Sequence, residues 1–124
     1  MIETSEYMST PVITADQEVS VLEVVQLMNK HNIGSVVLLN DGVLAGIITE
    51  RDILRKVLSK EQNPQTTLAK NIMTREVRSV KKEASVMEIS AEMKEHTMRR
   101  IVVVDEANHP IGIITSRDLI GLLV

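Results

Sequence analysis

The chain has 124 residues, enough for one domain, and its 44% hydrophobic and 25% charged residues are those of an ordinary folded soluble protein. It has no cysteine, which excludes disulfides, thiolate metal sites and cysteine nucleophiles. Its one aromatic residue is Tyr7, which excludes a nucleic-acid surface of stacked rings, and the net charge of −3 argues against bulk attraction to polyphosphate. No secretory signal or bilayer-length apolar run is visible, so the expected location is the cytoplasm and no membrane contact is expected.

An internal duplication is the most informative feature of the sequence. A shift of 65 positions, which becomes 66 after a turn that is one residue longer in the second copy, superimposes many identical residues. They include Met8 and Met73, Glu23 and Glu88, His31 and His96, and most of residues 46–52 and 112–118. Because an insertion confined to a polar turn leaves a fold intact, we predict two copies of one fold. The predicted boundaries are residues 7–58 for repeat 1, 59–71 for a linker and 72–124 for repeat 2.

Each repeat is predicted to begin with a short strand and a helix. The strands are expected at residues 12–14 and 77–80. Ser20 and Ser85 each precede a glutamate by three residues, the spacing of a capping box, so a helix is expected to start at each serine. The helices should end near His31 and His96, whose positive charge suits a helix C-terminus.

Two strands and a second helix complete each repeat. The expected strands, rich in β-branched residues, are 35–39 and 43–48 in the first copy and 100–104 and 111–114 in the second. A helix then begins near Thr49 or Thr115. The predicted fold class is therefore α+β, with the order β-α-β-β-α found twice.

The strongest candidate for chemistry is the motif Gly-Ile-Ile-Thr-x-Arg-Asp at residues 46–52 and 112–118. It lies where a strand turns into a helix, whose first N–H groups and dipole suit an anionic or hydroxyl-rich ligand. The threonine and aspartate also have the spacing of a helix cap, and caps are commoner than ligand sites. The two roles are compatible, since a carboxylate has more acceptor capacity than a cap uses.

This duplicated motif resembles that of the CBS domain in its tandem form, the Bateman module. The resemblance covers nearly the whole chain, including residues 8–12, 27–28 and 33–39 in the first copy and 72–74 and 98–105 in the second. It implies two repeats packed as one pseudo-two-fold module, with clefts between them that often bind AMP, ADP, ATP or S-adenosylmethionine. It implies such a regulatory ligand and no required cofactor.

The resemblance also implies roles for particular side chains. Asp52 and Asp118 would accept both ribose hydroxyls, and Thr49 and Thr115 would bond the ribose or first phosphate. The residues expected to flank the base are Ile13, Ile47, Arg78 and Ile113. The residues expected to lie near the phosphates of the ligand are Gly34, Ser35, Arg99 and Arg100. Arg117 of the second motif is also predicted to bind the ligand.

The phosphate end of the two predicted sites differs. Gly34 and Ser35 carry no charge where Arg99 and Arg100 carry two. We therefore expect the Asp118 site to hold phosphates better and the Asp52 site to be weaker or empty. In the alternative interpretation, the two arginines cover a sheet edge or pair with nearby acids.

The sequence does not predict an enzyme. No serine or threonine has a histidine at a spacing that would activate it, and three scattered histidines do not make a metal site. Apolar residues on both sides of the second helices favour a homodimer. We expect a regulatory ligand-sensing module that acts through an unidentified protein partner. The alternative is a protein-interaction or nucleic-acid-binding module without a nucleotide ligand, and the composition weighs against nucleic acid.

Overall fold

Two units of the same α+β architecture make up the part of the chain that this computed structural model describes, namely Met8 and residues 12–121. One unit comprises Ile13–Val77, and the other combines the residues from Arg78 onward with Met8 and Val12. The predicted order of elements is confirmed in each. The two repeat boundaries stay a prediction.

The first unit contains a three-stranded sheet and its helices. Its elements are β1 (Thr14–Asp16), α1 (Val21–His31), β2 (Ser35–Asn40), β3 (Val43–Thr49), α2 (Glu50–Asp52), a π-helical stretch (Ile53–Leu58) and a 3-10 turn (Ala69–Asn71). The strand order is β1-β2-β3, with β1 parallel and β3 antiparallel to β2. Strand β1 begins two residues later than predicted, because its pairing with β2 starts at Thr14.

The second unit repeats this arrangement. Its elements are β4 (Ser79–Lys81), α3 (Val86–His96), β5 (Arg100–Val104), β6 (Pro110–Thr115) and α4 (Ser116–Gly121). The strand order β4-β5-β6 has the same parallel and antiparallel pairings. Strand β4 also begins two residues later than predicted.

Side-chain caps start the long helices where the sequence predicts. The Oγ atoms of Ser20 and Ser85 accept the N–H groups of Glu23 and Glu88, each at 3.2 Å. The helices end at Asn32 and Thr97, whose φ angles of 52° and 51° are left-handed and let each cap N–H return to a helix carbonyl. The predicted serine caps are confirmed.

The linker completes the start of α1. The N–H groups of Val21 and Leu22, which have no partner inside the helix, donate to the carbonyls of Thr67 (2.8 Å) and Pro64 (2.9 Å). A further bridge joins Ser20 to Leu68. Residues 64–68 therefore pack as part of the first unit.

Each unit has an aliphatic core, as a chain with one aromatic residue requires. In the first unit the fully buried side chains include Val21, Val24, Val36, Leu38 and Ile48. In the second they include Ile89, Ile101, Val103 and Ile114. The middle strand of each sheet contributes two of these side chains and pairs with the neighbouring strand that carries the motif.

A bulge at the same position interrupts both hairpins. In the first, Leu38 pairs with Gly46 and Leu39 with Leu44, which leaves Ala45 as the extra residue. In the second, Val103 pairs with Gly112 and Val104 with Pro110, so that Ile111 is the extra residue. The motifs therefore follow the bulge in identical register.

The segment of residues 72–74 lies against β3. Thr74 and Ile47 exchange two backbone hydrogen bonds of 2.9 and 3.0 Å. The side chain of Met73 packs so close to Gly46 that a Cβ there would lie 2.6 Å from its Sδ. In the second unit Met8 occupies the corresponding place over Gly112. Glycine thus opens each motif because a side chain covers the strand at this point.

Candidate functional site

The threonine and aspartate of the first motif form a complete capping box. The Oδ2 atom of Asp52 accepts the backbone N–H of Thr49 at 2.9 Å and its hydroxyl at 3.1 Å. In return the Thr49 Oγ1 accepts the Asp52 N–H at 3.3 Å. The predicted capping role of these two residues is therefore confirmed.

The second oxygen of Asp52 is also engaged. The Nζ of Lys56 lies 3.1 Å from Oδ1, and the Asp52 side chain is only 13% exposed. The same ammonium donates to the carbonyl oxygen of Ile72 at 2.9 Å. Both carboxylate oxygens of the first motif thus have partners within the protein.

The second motif has the same cap but a freer carboxylate. The Oδ2 of Asp118 accepts the Thr115 N–H at 2.8 Å, and the Thr115 Oγ1 accepts the Asp118 N–H at 3.2 Å. Across Met8 and residues 12–121, no donor lies within hydrogen-bond distance of Asp118 Oδ1. Asp118 is half-buried. One oxygen remains able to accept hydrogen bonds from a ligand.

A basic groove lies beside this second motif. It has a volume of about 370 Å³ and is lined by Arg99, Arg100, Thr115, Ser116 and Arg117. Arg100 pairs with Thr115 across β5 and β6, and the Ser116 N–H donates to the Arg99 carbonyl at 2.8 Å. Within the described part of the chain none of the three arginines forms an ion pair. The lining is therefore cationic and suits an anion.

In the first unit Gly34 and Ser35 take the places of Arg99 and Arg100, Glu50 takes that of Ser116, and Arg51 matches Arg117. The Glu50 N–H donates to the Gly34 carbonyl at 3.1 Å, and Ser35 pairs with Thr49 across β2 and β3. The backbone geometry of the two motifs is therefore the same. Arg99 and Arg100 distinguish the second motif from the first.

Two of the residues expected to flank the base, Ile47 and Ile113, belong to the motifs, and the other two, Ile13 and Arg78, precede the edge strands β1 and β4. Ile47 is buried on β3, whereas Ile113 on β6 and Ile13 before β1 are half-buried. Arg78 is exposed before β4, and its guanidinium lies 3.1 Å from Nδ1 of His96 at the end of α3. Each unit thus contains two of these side chains, and their role toward a base stays a prediction.

Lys56 is not among the site residues predicted from the sequence. A lysine four residues after Asp52 is a spacing that joins side chains on one helix face, so the signal was present. Its contact with Ile72 depends on the fold. No group of three or more potential metal ligands is found among the described residues, and no described helix is long and apolar enough to span a membrane.

Comparison with known proteins gives a consistent result. The family model for the CBS domain matches residues 5–59 and 69–124. The CBS domain-containing protein YhcV of Bacillus subtilis is 31% identical over 96% of this chain and 84% of its own length. An uncharacterised protein of Methanopyrus kandleri is 37% identical over 88% of this chain, which spans only 56% of that protein.

A solved structure extends this likeness to a ligand complex. The CBS domain pair of protein MJ0100, solved with 5′-methylthioadenosine and S-adenosyl-L-methionine, has a TM-score of 0.88 and 30% identity to this chain. The match covers 99% of this chain and 96% of the other. The two structures therefore share their fold over almost their full length.

Proposed function

Because the chain belongs to the CBS-domain family, as a tandem pair, we propose that it is a regulatory module that senses an adenosine-containing ligand through Thr115 and Asp118. The CBS pair of MJ0100 binds adenosyl compounds, which supports this class of ligand. The proposal makes the protein a sensor and not an enzyme.

The observation that supports this proposal most directly is that Asp118 Oδ1 is available to a ligand. A half-buried carboxylate with one oxygen held by the Thr115 N–H is fixed in orientation, while the other oxygen points to no protein donor in the described part of the chain. The neighbouring hydroxyls of a ribose supply two donors to such a group. Each charge-assisted hydrogen bond contributes roughly 1.5–3 kcal/mol.

The arginines beside Asp118 favour a phosphorylated ligand. Three arginines line the groove, and a guanidinium group can bind two phosphate oxygens at once. We therefore infer that AMP, ADP or ATP binds better than S-adenosylmethionine, whose sulfonium is positive. A mononucleotide of about 23 heavy atoms at ~0.3 kcal/mol each would bind with a Kd on the order of 10 µM.

Exposed apolar side chains support the proposal of a homodimer. Leu54 and Leu58 of the π-helical stretch are 57% and 60% exposed, and Ile120 of α4 is 63% exposed. Burying such residues stabilises an association by about 25 cal/mol for each Å² of apolar surface. The signal would pass from a cytoplasmic homodimer to another protein.

Isothermal titration calorimetry with AMP, ATP, S-adenosylmethionine and GMP tests the ligand proposal. Asp118→Asn keeps an oxygen for the Thr115 N–H but removes the negative charge, so adenine nucleotide binding should weaken by about 10- to 100-fold. Asp52→Asn is the matched control and should leave this binding unchanged, because both oxygens of Asp52 already have partners.

Two results would refute the proposal. One is the absence of heat with every adenosyl compound, and the other is undiminished binding by Asp118→Asn. Either result would favour the alternative of a protein-interaction module, for which the exposed leucines would be the first surface to test.

A further inference from the structure

Lys56 makes the two motifs chemically different although their backbones match. Its ammonium contacts Asp52 Oδ1 at 3.1 Å and the Ile72 carbonyl at 2.9 Å, so two acceptors on separate parts of the chain hold it. We propose that Lys56 occupies the place of a ligand donor at the first motif and thereby limits the protein to one adenosyl ligand per chain. This inference rests on the proposed function of Asp118.

The sequence itself shows that the lysine belongs to one copy only. The shift of 66 that aligns the two motifs places Lys56 on Leu122. Leu122 lies outside the described residues, but a leucine side chain has no charge and no donor, wherever it lies. The second motif therefore has no lysine equivalent to compete for Asp118.

The surroundings of Asp52 favour Lys56 over a ribose as the partner of its carboxylate. Its side chain is 13% exposed, and a carboxylate so far removed from water keeps a cationic partner more firmly than an exposed one. A ribose would have to displace the ammonium from Oδ1 and leave the Asp52 charge without its lysine. The Thr49 hydroxyl is committed as well, because it donates to Oδ2 at 3.1 Å.

The contact with Ile72 limits how far the lysine can move. Residues 72–74 are held on β3 by the paired hydrogen bonds between Ile47 and Thr74. A ribose that displaced the ammonium from Asp52 would leave it held by the Ile72 carbonyl alone, or would break that bond as well. The lysine side chain is 42% exposed, so these two bonds hold it at the motif and burial does not.

The test is the stoichiometry of AMP binding by calorimetry. The wild-type chain should bind one AMP, and this binding should be lost or strongly weakened in Asp118→Asn. Lys56→Leu, which copies the residue of the second repeat, should bind a second AMP. The second site should be weaker than the first, because Gly34 and Ser35 supply no cation.

Matched variants make the result specific. Arg55→Leu removes an equal charge from an adjacent exposed position and should keep one site. Lys56→Leu combined with Asp52→Asn should return to one site. Lys56→Gln, which retains a donor for Ile72, should also gain the second site and serves if the leucine variant does not fold.

The outcomes separate this inference from the proposed function. No binding of AMP, ATP or S-adenosylmethionine by the wild type refutes both. Two sites in the wild type, or one site that stays single in Lys56→Leu and Lys56→Gln, refute the role of Lys56 while the function of Asp118 stands. One site in the wild type and two in the lysine variants support both.

Discussion

Replacing Gly46 with alanine tests the close packing of residues 72–74 against β3. The new Cβ would lie 2.6 Å from the Sδ and 2.8 Å from the Cγ of Met73, and 2.8 Å from the carbonyl oxygen of Thr74. The methionine side chain can rotate away. The carbonyl cannot, because it accepts the Ile47 N–H at 3.0 Å.

The expected change in the free energy of unfolding follows from these contacts. Inserting a methyl group into a well-packed site costs about 1–3 kcal/mol, and weakening one backbone hydrogen bond costs about 0.5–1.5 kcal/mol. Alanine offsets about 0.4–1 kcal/mol of this by restricting the unfolded chain. We therefore expect Gly46→Ala to destabilise the protein by about 1–3 kcal/mol.

Urea unfolding followed by far-ultraviolet circular dichroism measures this change, since a chain without tryptophan gives little fluorescence signal. With a slope of about 1–3 kcal/mol per molar urea, the midpoint should fall by ~1 M. Gly121→Ala is the control: no atom of Met8 or residues 12–121 lies within 4 Å of a Cβ at this helical position, so alanine should stabilise slightly.

The two glycine variants should differ in the direction of their effect. Gly46→Ala must be less stable than the wild type, and Gly121→Ala must not be. Equal stability of Gly46→Ala and the wild type would refute the close approach of residues 72–74 to β3.

Two further substitutions probe the second unit. Ser85→Ala removes the cap of α3 and should lower the free energy of unfolding by about 1 kcal/mol, measured by urea denaturation, while Ser90→Ala on the exposed face of α3 should have little effect. At Asp105, the backbone N–H of His109, then that of Ala107 and the nearby His109 side chain, hold the pKa of the carboxyl below its ordinary value of 3.8. A lowered folded-state pKa stabilises the fold above the unfolded value and loses this contribution as pH falls through the folded value. Asp105→Asn should therefore have a lower melting temperature than the wild type at neutral pH, and this difference should shrink as the pH falls below 3.8; a difference that stays constant well below pH 3.8 would contradict the prediction.

Local signals made most of the fold predictable. The serine caps at Ser20 and Ser85 depend on residues three positions apart, and the structure confirms both helix starts. The first strands began two residues later than predicted because pairing with a strand more than twenty residues away sets their limits, as Thr14 with Val37 shows. A local pattern does not contain that information.

The second helix of the first unit shows another limit. The apolar pattern of residues 53–58 fits an α-helix, but the Ser59 N–H reaches back five residues to the Leu54 carbonyl at 2.9 Å. Widened turns of this kind are often found at functional sites. They depend on packing around the helix, and the sequence pattern does not distinguish them from α-helical turns.

For the candidate site, the sequence predicted that the threonine and aspartate of each motif cap a helix and that the aspartate can accept further hydrogen bonds. The structure then distinguished the two copies, since Asp52 has partners at both oxygens and Asp118 at one in the described part of the chain. The spacing of Asp52 and Lys56 was visible in the sequence. The Ile72 carbonyl, sixteen residues from Lys56, became its partner only through folding.

The bulges allow the two hairpins to differ in tip length without a shift in the register of the motifs. In the first hairpin, residues 35–38 pair with residues 46–49 of the motif directly after the bulge. The second hairpin has the same register, although its tip is one residue longer. Length changes at the tips, near Gly42 or Asn108, are thus absorbed before they reach the motif. These tips are the positions at which a fluorescent label or short affinity tag can be inserted without shifting the strands that carry Thr49 and Thr115.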